Sequence, residues 1–122
     1  VYEVKIISEF HSAHRLRNYK GKCENLHGHN WKVEVSVESP VLDKNGFVID
    51  FIDLKKITND FLKKLDHKVL NSLPFFKRRN PSAEHIARLI FDAVSQKLPH
   101  GLGAKSVAVW ETGANCAIYS ES

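Results

Sequence analysis

Seven histidines in a chain of 122 residues are out of proportion, and three of them stand at spacings that suit one metal ion. His27 and His29 flank Gly28 and continue the odd-numbered register of Trp31, Val33 and Val35. His14 continues the even-numbered register of Val4, Ile6 and Phe10, provided the strand persists through Ser12. Residues two apart on a strand point the same way, with side chains roughly 6 to 7 Å apart at their bases. If the two strands pair, the three imidazoles converge at the end of one apolar face, and Gly28 allows close approach of backbone or ligand. Three neutral imidazoles match a zinc ion with its fourth position open, as in a catalytic site; a structural zinc is normally closed by four ligands, often cysteines. A single histidine is more often an ordinary surface or core residue, but a paired motif plus an in-register third histidine favours ligation. His11 has the opposite parity and falls off the metal. His85 and His100 are given no role.

Other groups are chemically suggestive but open to plainer readings. Cys23 lies four residues before His27, among Arg15, Arg17, Lys20 and Lys22. Positive charge favours thiolate, so Cys23 is a candidate base or nucleophile, or else an ordinary loop cysteine. Cys116 begins an apolar stretch and is expected in the core. In Asp66-His67 a carboxylate adjoins an imidazole that it could orient for proton transfer. Sequence neighbours do not necessarily touch, however, and a histidine ending a helix also suits the helix dipole. Glu111 shares a strand face with Val107 and Val109. There it either needs a partner, such as a ligand with amidine-like nitrogens, or faces solvent. Lys77-Arg78-Arg79 is a solvated charge run or a phosphate contact.

The elements that must position these groups are legible from periodicity. Residues 2–10 and 31–38 alternate as antiparallel strands covered on one face, joined by a polar, basic loop over 15–25. Asp43-Lys44-Asn45-Gly46 marks a turn before the apolar run Phe47-Val48-Ile49. Asp53 is expected to cap a helix with Leu54, Ile57, Phe61 and Leu65 on its buried side. A second helix is expected from Asn80-Pro81, with Glu84 near its positive end and a stop at Pro99-His100-Gly101. Strands over 106–111 and 116–119 follow. The order β-β-α-α-β-β implies an α+β fold with both helices on one face of an antiparallel sheet. The strand edges and uncovered face that remain invite association with further copies.

Composition sets the bounds. The chain is 43% hydrophobic and 26% charged, as expected of one globular domain spanning 1–122. No apolar run is long enough to span a bilayer, and the strand-like start does not read as a secretory signal. Two cysteines fit a reducing cytosol, so a cytoplasmic location is expected. The net charge of +4 is too mild, and its basic residues too scattered, to imply nucleic acid, yet it permits a local anion site.

Taken together, the motifs resemble the 6-pyruvoyltetrahydropterin synthase family over nearly the whole chain. The resemblance is carried by Phe10-His11-Ser12-Ala13-His14-Arg15-Leu16 and Cys23-Glu24-Asn25-Leu26-His27-Gly28-His29. Asp50-Phe51-Ile52-Asp53-Leu54-Lys55, Leu65-Asp66-His67, Leu70-Asn71, Asn80-Pro81-Ser82-Ala83-Glu84 and Glu111-Thr112 follow in order. Three residues between Cys23 and His27 resemble the bacterial 6-carboxytetrahydropterin synthase branch of the queuosine pathway, since the biopterin-forming branch typically has a longer insertion there. His11 departs from the aspartate, and Ala83 from the threonine, that relatives often carry.

The resemblance implies the tunnelling fold, a barrel built by several copies, usually a hexamer of two trimers, with active sites between protomers. It implies Zn2+ on His14, His27 and His29, Cys23 with Asp66 and His67 as catalytic groups, and Glu111 and Glu84 as contacts to a pterin triphosphate substrate. The implied reaction is a lyase step from 7,8-dihydroneopterin triphosphate to 6-carboxy-5,6,7,8-tetrahydropterin, acetaldehyde and triphosphate. One alternative is 6-pyruvoyltetrahydropterin synthase chemistry, in which the side chain is retained. Another is a zinc- or pterin-binding module without catalysis.

Overall fold

The alternating segments form two long paired strands, β1 (Tyr2–His14) and β2 (His27–Ser39). The computed structural model describes residues 1–21 and 24–121. Both strands outrun the alternating stretches at 2–10 and 31–38. They pair antiparallel throughout, from Tyr2 opposite Ser39 to His14 opposite His27. Two helices follow, α1 (Phe51–Leu62) and α2 (Ala83–Lys97), then β3 (Ala104–Thr112) and β4 (Asn115–Ser120). The sheet is antiparallel in the order β1-β2-β3-β4. This is the β-β-α-α-β-β arrangement expected from the sequence.

Both helices cover one face. Phe10, Trp31, Val33, Val35, Val37, Val107 and Val109 from the sheet join Leu54 and Leu62 from α1 and Ile86, Ile90 and Val94 from α2 in one buried core. Each such side chain contributes roughly 1.5 to 3 kcal/mol by leaving water. The opposite face stays open, with Ile7 50% and Ile118 66% exposed. Cys116 belongs to that open face, which corrects its expected burial: it is exposed and shares its side of β4 with Ile118, while Ala117 and Tyr119 lean inward.

The helix starts also differ in detail. Asp50, not Asp53, caps α1: its backbone is extended and its side chain accepts from the Ile52 amide at 2.8 Å. Asp53 sits inside the first turn, where a carboxylate complements the helix dipole. α1 ends at Leu62, so buried Leu65 lies in the turns beyond it. α2 begins at Ala83, with Ser82 accepting from the His85 amide at 3.2 Å; Asn80 and Pro81 precede the cap.

The chain after α1 lies along the outer edge of β1. The Ala13 amide donates to the Lys68 carbonyl at 3.0 Å, the His67 amide to the His11 carbonyl at 2.6 Å, and Ala13 bridges Val69. Exposed strand edges attract unwanted pairing, and this segment occupies the edge near the histidines. Among the described residues, no helix is long and apolar enough to cross a membrane.

Candidate metal centre

Strand register alone assembles the histidines. His14 is opposite His27, and His29 is opposite Ser12, one alternation along. The imidazole centroids are 4.7 Å apart for His14 and His27, 5.2 Å for His14 and His29, and 4.8 Å for His27 and His29. Trp31 forms the floor, with its ring 4.9 Å from His14 and 5.1 Å from His29 and stacked on Phe10 at 5.9 Å. A fourth group comes from β3. Glu111 follows Val107 and Val109 on the inner face, and its Oε1 is 3.3 Å from His29 Nε2. One ligand atom from each of His14, His27, His29 and Glu111 lies within 4.8 Å of the others. Tetrahedral zinc with bonds of about 2.0 to 2.1 Å implies ligand separations of about 3.3 to 3.4 Å. A modest inward shift of the three imidazoles satisfies that, with the Glu111 carboxylate beside His29.

The hydrogen bonds set which nitrogens are available. His14 Nδ1 is 2.7 Å from the Pro81 carbonyl, and His27 Nδ1 is 2.9 Å from the Asn25 carbonyl. A carbonyl only accepts, so each Nδ1 carries the proton and each Nε2 presents a lone pair. Such outer contacts orient metal-bound imidazoles and raise their basicity. His14 is 1% exposed, and the Nε2 atoms of both His14 and His29 are buried without a hydrogen-bond partner. Glu111 is near His29 Nε2 but is not aligned for a hydrogen bond. Unsatisfied buried acceptors are costly, and a divalent cation satisfies all of them at once. Burial holds the His29 imidazole below its ordinary pKa, against the opposing pull of Glu111. The neutral, ligating form therefore prevails at neutral pH.

Past His14 the chain leaves the sheet and bends from Arg17 onward, and two asparagines hold its backbone there. Asn71 Oδ1 accepts from the Arg15 amide at 2.9 Å, and its Nδ2 donates to the Arg15 carbonyl at 2.9 Å. Asn80 repeats the pattern on Arg17, at 2.7 and 3.1 Å. These side chains act as surrogate strands and hold the backbone that follows the buried histidine. Asn80→Ala removes two such bonds and is expected to lower stability by about 1 to 3 kcal/mol, measurable by urea denaturation. Unchanged stability would mean that water replaces the clamp at no cost.

The remaining candidates are distributed around this centre. Asp66 and His67 do touch, with Oδ2 2.9 Å from Nδ1. The His11 amide, 2.8 Å from Asp66 Oδ1, and then the His67 ring hold the Asp66 carboxyl below the usual carboxylate range. His67 adopts a left-handed backbone at φ 54°, a conformation uncommon outside glycine. Its side chain is 77% exposed on the outer edge of β1, and it is not part of the four-residue cluster. Glu84 is exposed in the first turn of α2. His11 is off the cluster, as parity implies, with Nδ1 2.7 Å from Asn30 Oδ1. Cys23 lies outside the described residues. Sequence reasoning did not find the clamping role of Asn71 and Asn80, or the Pro81 carbonyl behind His14. All three act across more than fifty residues of chain, and only the quoted motifs around them gave any signal.

The comparisons with known proteins agree with this fold. Residues 3–122 match the family described as PTPS, 6-pyruvoyl tetrahydropterin synthase. A protein of Archaeoglobus fulgidus, provisionally named a 6-carboxy-5,6,7,8-tetrahydropterin synthase, is 39% identical over 108 residues, covering 88% of this chain and 86% of its own. A dihydroneopterin monophosphate aldolase of Pyrococcus furiosus is 36% identical over 104 residues, covering 85% and 84%. Among solved structures, 6-pyruvoyl tetrahydropterin synthase of Caenorhabditis elegans superposes with a TM-score of 0.85 at 29% identity, covering 99% of this chain and 96% of that one. Motif order, sheet topology and relatives converge, and the chain belongs to the 6-pyruvoyl tetrahydropterin synthase family.

Proposed function

We propose that the protein is a zinc-dependent lyase acting on 7,8-dihydroneopterin triphosphate. With one water consumed, its products are 6-carboxy-5,6,7,8-tetrahydropterin, acetaldehyde and triphosphate, in queuosine (7-deazaguanine) biosynthesis. The observation that carries this reading is the set of buried imidazole nitrogens left without partners beside Glu111. The three-residue spacing between Cys23 and His27 favours the carboxy branch over the pyruvoyl one.

In this reading His14, His27 and His29 hold the metal. Zinc supplies Lewis acidity to side-chain hydroxyls of the substrate and makes the neighbouring C–H bonds more acidic. Cys23, as thiolate among basic neighbours, takes a proton from the side chain. His67 moves a proton on the opposite side. Its Nδ1 is held by Asp66 at 2.9 Å, which leaves Nε2 to exchange the proton. In this reading the dyad serves the cluster of a neighbouring copy in a homo-oligomer, a hexamer of two trimers, and the exposed place of His67 on the outer edge of β1 leaves it open to such a copy. Glu111 and Glu84 are the carboxylates offered to the pterin. Glu111 pairs with the amino-pyrimidine nitrogens, where paired contacts set orientation as well as affinity, and Glu84, exposed on α2, is the second contact.

Product analysis tests the reading directly. Incubating the zinc-loaded protein with 7,8-dihydroneopterin triphosphate is expected to release one acetaldehyde per pterin consumed. A pterin that keeps its three-carbon side chain as the sole product would transfer the assignment to the pyruvoyl reaction.

A further inference from the structure

The basic residues are not spread evenly around the metal centre. Arg17, Lys77, Arg78 and Arg79, together with Asn18 and Asn80, line one cavity of about 300 Å³. No carboxylate is among these lining residues, and among the described residues none of the four cations has an acidic partner within 4.0 Å. Elsewhere in the chain lysines do find acids, as Lys56 finds Asp60 and Lys105 finds Glu3. Four unneutralised cations around one small space repel one another, and an anion between them relieves that repulsion.

Two of the cations are also fixed in place. The Arg17 backbone is clamped by Asn80, and its guanidinium donates to the Arg79 and Asn71 carbonyls at 3.3 Å each. A guanidinium has five N–H donors, so three remain for a ligand. The Arg79 guanidinium is stacked over the Phe75 ring at 4.2 Å. Preorganised arginines suit phosphate oxygens, because little side-chain freedom is lost on binding. Arg15 and Lys20 are placed differently. Arg15 lines a separate cavity with Leu26, Val69, Asn71 and Ser72, which Arg17 also borders, and the Lys20 ammonium lies over the Tyr19 ring at 5.4 Å.

The cavity is tied to the metal centre from both sides. Arg17 is three residues beyond His14, a span of at most about 11 Å of chain. Asn80 adjoins Pro81, whose carbonyl receives His14 Nδ1. We propose that this cavity is a polyphosphate subsite, in which Arg17 makes the directed contacts and Lys77, Arg78 and Arg79 supply the surrounding positive charge. This deepens the functional reading above, and rests on it, by assigning the phosphate tail of the substrate to residues.

The test uses the zinc-loaded protein with inorganic tripolyphosphate as probe, followed by calorimetry, with zinc content checked before and after. Tripolyphosphate is expected to bind and to weaken as salt rises. Affinity should fall about tenfold or more in Arg17→Ala and separately in Arg78→Ala, an exposed position where a folding defect is not expected, with zinc retained in both. Orthophosphate should bind more weakly than tripolyphosphate. Equal binding to wild type and both variants, or no binding by wild type, overturns the subsite. The two readings fail separately. A protein that binds tripolyphosphate through Arg17 but forms no acetaldehyde keeps the subsite and loses the reaction. One that forms acetaldehyde with an unchanged KM in both variants keeps the reaction and loses the subsite.

Discussion

Replacing His27 with alanine is expected to empty the metal centre while leaving the fold in place. His14 is fully buried, so its removal would leave a void over Trp31 and orphan the Pro81 carbonyl, mixing folding with binding. His27 is only half-buried and its Nδ1 contact is to the nearby Asn25 carbonyl. Its loss therefore changes stability little and the ligand set by one of three imidazoles. Outer contacts to metal-bound histidines are worth 10 to 100-fold in affinity, and a direct ligand is worth more, so zinc should bind at least roughly 100-fold more weakly. Metal analysis after dialysis reads this, and a second measurement guards it. A ligand that binds only the folded state raises Tm with its concentration. Added zinc should raise the wild-type Tm and leave that of His27→Ala nearly unmoved. Undiminished zinc in the variant would remove His27 from the site and, with it, the argument from strand parity.

That argument shows how far the sequence carries. Parity is local: once residues 27–37 are known to be a strand, His27 and His29 must face the side of Trp31 and Val33. His14 needed one further assumption, that β1 continues through Ser12, and the strand does so. Glu111 was half legible. Its shared face with Val107 and Val109 follows from alternation, but its neighbour does not. The β2–β3 register, with Lys32 opposite Trp110, and the irregularity between Trp110 and Thr112 bring it to His29. Neither has a signature in the residues themselves.

Other features were hidden for related physical reasons. Asp50 and Asp53 are equally good caps by residue type, and only the extended backbone at Asp50 decides between them. Cys116 looked like core because its neighbours are apolar. Period-two reading of β4 would have set it with Ile118, away from Ala117 and Tyr119, but the uncovered face makes that side look no less apolar. The clamps by Asn71 and Asn80 are side-chain-to-backbone bonds across 56 and 63 residues. Nothing in composition or periodicity distinguishes an asparagine that replaces a strand from one that sits in a turn.

Cys23→Ala is expected to abolish most turnover while sparing zinc and assembly, and it separates an enzyme from a binding module. A positioned general base contributes about 10² to 10⁴ in rate, so kcat should fall by that order. The metal site gives reason for the selectivity of the effect. Three imidazoles and Glu111 already form a cluster that could hold a cation without sulfur, so removing a thiol need not release the metal. Cys23→Ser sharpens the test. It keeps size and hydrogen bonding but replaces a readily ionised thiol with a hydroxyl that basic neighbours cannot deprotonate near neutral pH. If ionisation matters, serine should resemble alanine; if shape alone matters, serine should rescue. A module that only binds zinc or a pterin has no use for a thiolate, so it would bind alike in all three forms and turn over substrate in none. Turnover that survives in Cys23→Ala would instead place the base elsewhere, with His67 the group best oriented to take that part.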